Sequence, residues 1–321
     1  MQFVEELRAF AAQLRYVATH YHSISLPKNP RGIVLGGMGG SGIAADFVHA
    51  ELYAETPFPI VVVKDYELPA WVDNQALVII TSYSGNTEES IALYQAACKQ
   101  KAHVVVLSTG GTLGIKAQHD RTPWLKIPNG YQPRMTLGYS LGFQMLLIGQ
   151  LIKKEWTPNY LEQLAETVAD PTPFEQQAKE WIEAFDSGIR WVILADRKTF
   201  PIGLRFAQQV SENAKGEAVA YPMPEFNHNG VEGLYLPSSA NYLMLWTEGH
   251  ERMARRFAFL SEHLENLNRP MLSLEIEDQL EARLHASFIL DFLSLELAAR
   301  RDVDARDVPT IRRLKAYLNQ E

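Results

Sequence analysis

The sequence predicts an α/β protein built from two doubly wound parallel-sheet units. Three observations lead there: the length of the chain, the character of its short apolar runs, and the helical text that separates them. At 321 residues, 46% of them hydrophobic and 21% charged, the chain has the composition of a compact folded protein and the length of two domains. The expected units are residues 1–155 and 156–321.

Composition also excludes. A formal net charge of −8 argues against a nucleic-acid-wrapping surface. The single cysteine, Cys98, rules out an internal disulfide framework and any metal site needing several thiolates. Phe3, Leu7, Phe10, Leu14 and Val17 share one helical face, so the chain opens on an amphipathic helix and carries no signal-peptide pattern. The longest apolar stretches, such as that at 60–63, are strand-sized, far below the ~20 residues of a membrane span. The expectation is a cytoplasmic protein that partners neither membrane nor nucleic acid.

After the first helix come four β-branched runs at 32–35, 60–63, 77–80 and 104–107, without polar alternation, which reads as strands buried on both faces. Helix-compatible text at 43–52 and 87–101 separates them, and strand, helix, strand in succession implies a parallel sheet. Residues 124–127 add a fifth strand, and the apolar helical pattern at 135–153 closes the unit. Polar helical text at 159–170, broken by Pro171-Thr172-Pro173, and a second helix to about 185 form a connector. The rhythm then restarts, with strands at 190–194 and 242–246, each followed by a helix.

Two turns carry the chemistry. The first strand feeds into Gly36-Gly37-Met38-Gly39-Gly40-Ser41-Gly42, and amides of such a turn, backed by a helix N-terminus, cradle an anion. Gly37, Gly39 and Gly42 also satisfy G-x-G-x-x-G, with Asp65 where a ribose-binding acid would sit, so a dinucleotide oxidoreductase is a rival reading. Thr81-Ser82-Tyr83-Ser84-Gly85-Asn86-Thr87 follows the third strand. Its hydroxyls and amides suit a phosphate monoester, with Ser82, Ser84 and Thr87 as ligands. The alternative there is an ordinary helix cap at Asn86 or Thr87.

Met38-Gly39-Gly40-Ser41-Gly42 followed by Ser82-Tyr83-Ser84-Gly85-Asn86-Thr87 resembles the sugar isomerase (SIS) fold, in its bifunctional phosphoglucose/phosphomannose isomerase branch. The likeness continues through Pro133-Arg134, Ser211-Glu212-Asn213, Glu225-Phe226-Asn227-His228-Asn229 and Leu314-Lys315. It implies two SIS subdomains, each with a five-stranded parallel sheet, and a homodimer with shared sites. It also implies hexose 6-phosphate substrates and neither metal nor other cofactor. Gly40 and Ser41 join the phosphate ligands. Phe226 stands where leucine is more usual.

Aldose-ketose interconversion opens the sugar ring and moves a proton between C1 and C2 through an enediol. The proton shuttle wants a partly desolvated carboxylate. The residues alone leave Glu212, Glu217, Glu225 and Glu232 open; the resemblance selects Glu212. Ring opening wants a group that exchanges protons near neutral pH, which points to His228, supplied by the resemblance across a subunit interface. Arg134 would offset enediolate charge, and the resemblance brings Lys315 near the ring oxygen. A non-catalytic sugar-phosphate sensor is the remaining alternative, although one helix before the first strand is too little for a helix-turn-helix reader.

Overall fold

The computed structural model describes residues 3–185, 190–234 and 239–318. Two compact units form, Arg8–Asp170 and Pro171–Glu321 together with Met1–Leu7. The amphipathic N-terminal text makes two short helices instead of one, α1 (Phe3–Arg8) and α2 (Phe10–His20), which meet at Ala9.

The first unit continues with β1 (Ile33–Gly37), α3 (Gly39–Leu52), β2 (Ile60–Val63), β3 (Leu77–Thr81), α4 (Glu88–Lys99), β4 (His103–Ser108), α5 (Gly111–His119), β5 (Trp124–Lys126), α6 (Leu137–Ile152) and α7 (Pro158–Thr167). Its five strands are parallel, in the order β2-β1-β3-β4-β5. Apolar side chains alternate between two covered faces. Val34, Val78 and Val104, in register, join Leu93, Tyr94 and Leu113 in one cluster, while Ile33, Leu35, Ile79 and Val105 are buried on the other side. That double burial is why the strands lack polar alternation.

The second unit holds α8 (Thr172–Trp181), β6 (Arg190–Ala195), α9 (Phe200–Ala214), β7 (Glu217–Pro222), β8 (Ala240–Thr247), α10 (Glu251–Asn266), β9 (Met271–Ile276), α11 (Leu280–Arg300) and α12 (Pro309–Leu318). Pro171 and Pro173 do not merely break the preceding helix: Pro173 lies in the first turn of α8, where a missing N–H costs nothing. The sheet is parallel, ordered β7-β6-β8-β9. Among the described residues it has four strands, where the family resemblance implies five.

Both sheets reverse direction of growth at their first strand, between β1 and β3 and between β6 and β8. A crevice opens outside the carboxyl ends of the strands at such a switch point, and ligands bind there. The two crevices differ. In the second, the buried Asp196 carboxylate accepts from the amides of Lys198, Thr199 and Thr247 at 3.0, 2.9 and 2.6 Å, and from the Thr199 hydroxyl at 3.0 Å. A fixed side-chain anion thus takes the donors. In the first, the donors come from serines, threonines and glycines.

Candidate active site

α3 begins at Gly39, four residues before the position that apolar periodicity marks, so the glycine turn is itself the first turn of the helix. The Ser41 and Gly42 amides close the turn on Met38 O at 3.0 and 3.1 Å, and the Gly39 and Gly40 amides, which have no carbonyl one turn earlier within the helix, are the ones placed for an anion. A side chain at Gly40 would lie 2.7 Å from Pro133 O and the Arg134 Cα, so only glycine lets the 133–134 backbone close on the turn. That contact brings Gly40 and Arg134, far apart in sequence, to one place.

A buried hydrogen bond ties the second loop to the first. Ser41 Oγ, almost fully buried, accepts from the Tyr83 amide at 2.9 Å, leaving its own proton to donate. Ser82 Oγ donates to Thr87 Oγ1 at 3.0 Å, and Ser82 is 1% exposed. Thr87 stands at the N-cap of α4 with extended backbone but makes no side-chain cap bond. Its hydroxyl faces Ser82 instead, so the ordinary-cap alternative fails at this residue. Ser84 is exposed at the rim and its Oγ accepts from the Asn86 amide at 3.2 Å. Gly85, at φ +68°, presses so closely on Gly110 O that an added Cβ would sit 1.9 Å away. Asn86 Oδ1 takes the Thr112 amide and hydroxyl at 2.9 and 3.0 Å, fixing the loop to α5.

Arg134 is 5% exposed, not the surface arginine that a post-loop position suggests. It lies in a 3-10 turn, Pro133–Met135, held on three sides. Gln13 Nε2 donates to Met135 O at 2.7 Å while its Oε1 accepts the Gly138 amide at 3.0 Å. Thr136 Oγ1 donates to Pro133 O at 2.7 Å, and the Tyr83 hydroxyl accepts the Tyr131 amide at 2.9 Å. Sequence reasoning missed Gln13, although an amide between Phe10 and Leu14 on an apolar stripe was a readable signal.

Behind the glycine turn, Lys64 pairs with Asp46 at 2.5 Å. Burial pushes the Asp46 carboxyl above its ordinary value against the pull of Lys64. Asp65, the acid a dinucleotide ribose would need, is exposed, and its carboxylate accepts the adjacent Tyr66 amide at 2.6 Å. Among the described residues, no group of three or more His, Cys, Asp or Glu is disposed to hold a metal ion.

The remaining residues lie in the second unit. Glu212 is half-buried in the last turn of α9, beside the buried Asn213. Lys215, the left-handed cap of α9, donates to Glu212 O and to Asp307 O, each at 2.5 Å. This ties the Glu212 turn to the segment that opens α12, where Lys315 is exposed. His228 ends a 3-10 turn, Glu225–His228, and is exposed. The turn is anchored by Phe226, 5% exposed in the core with Met223, Tyr242 and Leu260, so the phenyl ring in leucine's place fills a core position. The structure therefore gathers Gly40, Ser41, Ser82, Thr87 and Arg134 within the first unit, with Ser84 at the rim.

Neutral donors and one guanidinium at a strand-end crevice are chemistry for a phosphate ester. Known proteins point the same way. Residues 28–153 match the SIS domain family, and residues 174–318 match the family described as the bacterial phospho-glucose isomerase C-terminal SIS domain. The bifunctional phosphoglucose/phosphomannose isomerase of Aquifex aeolicus is 32% identical over 90% of this chain and 91% of its own length. That of Thermoplasma volcanium is 32% identical over 98% and 99%. A solved structure of the C-terminal domain of glucosamine-fructose-6-phosphate aminotransferase from Francisella tularensis superposes with a TM-score of 0.72 at 15% identity, covering 94% of this chain and 96% of that one, and shares the fold. With identity of that level sustained from end to end, the chain belongs to the bifunctional phosphoglucose/phosphomannose isomerase family.

Proposed function

We propose that this protein is an aldose-ketose isomerase that interconverts glucose 6-phosphate, and mannose 6-phosphate, with fructose 6-phosphate in the cytoplasm. The observation that carries the reading is the crevice at the first switch point, where Ser41, Ser82 and Thr87 converge on a helix N-terminus. Whole-chain similarity to curated isomerases supports the substrate class. The substrate phosphate accepts from Gly40, Ser41, Ser82, Ser84 and Thr87. His228, donated by the second subunit of a homodimer, moves the proton between O1 and the ring oxygen as the ring opens, with Lys315 beside that oxygen. Glu212 takes the proton from one of C1 and C2 and returns it to the other. Arg134 balances the negative charge that accumulates on the enediolate.

A coupled assay should detect glucose 6-phosphate formed from fructose 6-phosphate, and mannose 6-phosphate consumed. Glu212→Gln keeps the size and removes the basicity, so kcat should fall by roughly 100-fold or more with KM little changed. Turnover at the unmodified rate in that variant would remove Glu212 as the base. Saturable binding of hexose 6-phosphate without turnover would return the protein to the sensor class.

A further inference from the structure

In the second unit, Arg252, Arg255 and Arg256 stand in the first two turns of α10, on one face by their three- and four-residue spacing. Folding gains little from them there. The N-terminal end of a helix carries partial positive charge, and like charges at that spacing repel. Compensation is slight for a chain with 38 acidic residues. Glu251 takes Arg255 at 2.6 Å, Arg256 donates to the neutral Asn227 amide oxygen at 3.1 Å, and Arg252 has no hydrogen bond or ion pair among the described residues. With Asn227, Val231 and Phe259 the three arginines line a cleft of about 320 Å³, and no carboxylate contributes to its wall. Phe259 is 57% exposed, with its ring parallel to that of His263 at 6.0 Å between centroids.

Cations placed where they oppose local stability, beside a solvent-exposed aromatic ring, fit an anion that carries a flat ring. Guanidinium groups bind phosphate oxygens in pairs, an aromatic side chain stacks on a base, and a cleft of this size suits a small ligand. We propose that this cleft binds a nucleoside phosphate, its phosphate held by Arg252 and Arg256 and its base laid on Phe259. The neutral Asn227 amide that Arg256 now contacts is a weak partner which a phosphate can replace. The cleft uses none of the residues assigned to isomerisation, so its test stands apart from that reading.

Calorimetric titration of the full-length protein with adenosine 5′-monophosphate checks the assignment, with ribose 5-phosphate as the arm that lacks a base. A Ser82→Ala/Thr87→Val variant removes the competing phosphate cradle. The nucleotide should bind saturably to the unmodified protein and to the cradle variant alike. Arg252→Ala/Arg256→Ala should weaken it by at least about tenfold and leave basal isomerase activity unchanged. Phe259→Ser should bring the nucleotide's affinity down towards that of ribose 5-phosphate. Should the double variant fail to fold, Arg252→Gln alone, at an exposed position, should still weaken binding by about threefold. No saturable nucleotide binding, unchanged affinity in the folded arginine variants, equal affinity for ribose 5-phosphate, or loss of binding in the cradle variant would each overturn the proposal.

Discussion

Ser41 does two things with one oxygen. Its lone pair holds the Tyr83 amide, which sets the distance between the glycine turn and the hydroxyl loop, and its proton remains for a ligand. Ser82 and Thr87 form a second such pair, in which Ser82 donates to Thr87 and Thr87 keeps a proton to give. Hydrogen bonds to a charged group contribute about 1.5–3 kcal/mol each. Thr87→Val keeps the shape and removes one donor, so KM for hexose 6-phosphate should rise roughly ten- to hundredfold, with kcat falling less; an unchanged KM in steady-state kinetics would remove Thr87 from the phosphate site. The hydroxyl loop was legible because Ser, Thr, Gly and Asn follow a buried strand directly. The burial of Arg134 was not, since the groups that hold its turn, Gln13, Tyr83 and Gly40, come from three distant stretches and no local pattern announces contacts that span from 48 to 122 residues.

The orientation of Glu212 is a property of its helix. On α9, Arg205, Gln209 and Asn213 form a stripe at four-residue spacing, all buried, and meet α11 through polar bonds. Arg205 donates to Asp291 Oδ2 at 2.7 and 3.1 Å, Gln209 to Asp291 Oδ1 at 3.1 Å, and Asn213 to Ser294 Oγ at 2.9 Å. Directional bonds fix the rotation of α9 in a way that apolar packing does not, and Glu212 lies about 100° round the axis from Asn213. Asp291→Asn leaves a buried guanidinium without its counter-charge and should cost about 3–5 kcal/mol in denaturant unfolding. Arg205→Met/Asp291→Leu should recover most of that stability yet leave kcat depressed about tenfold, because α9 is no longer keyed. Full activity in the stable double variant would reduce the network to packing. Asp278, between β9 and α11, sets a pH limit on the same unit. Burial works to raise its carboxyl, but hydrogen bonds and charge from Lys198 and Arg283 outweigh that and hold it below the ordinary value. A lowered folded-state pKa gives stability that is present above the unfolded value of about 3.9 and is lost as pH falls through the folded one. Asp278→Asn should therefore narrow its stability deficit between about pH 6 and pH 3 in thermal melts. In each unit one element was harder to read, β7 in the second and α5 in the first. β7 has an exposed, weakly alternating sequence at a sheet edge, and α5 opens on glycine with few buried residues, so neither prints a clear period.

At the scale of the molecule, the two strand-end crevices share one topology and divide the work between them. The first offers neutral donors to a mobile anion, while the second has given its donors to Asp196. Among the described residues, only the first crevice therefore keeps its hydroxyl donors free of a fixed carboxylate. The parallel sheets were implied by the strand, helix, strand rhythm, whereas the occupation of the second crevice depends on Asp196 and Thr247 meeting across 51 residues, which no motif encodes. Catalysis by one chain alone is then a question of whether His228, exposed at the end of its turn, works in its own subunit or in a neighbour's. Mixed dimers decide it. His228→Ala and Glu212→Gln should each be nearly inactive as homodimers. If the histidine crosses the interface, a dimer with one chain of each kind has one site with its own Glu212 and the partner's intact imidazole, and one site lacking both. Random reassociation makes about half of the dimers mixed, so mixing the two inactive proteins should restore about a quarter of the unmodified activity. If each chain used its own histidine, every site in the mixture would lack one group, and no activity would return.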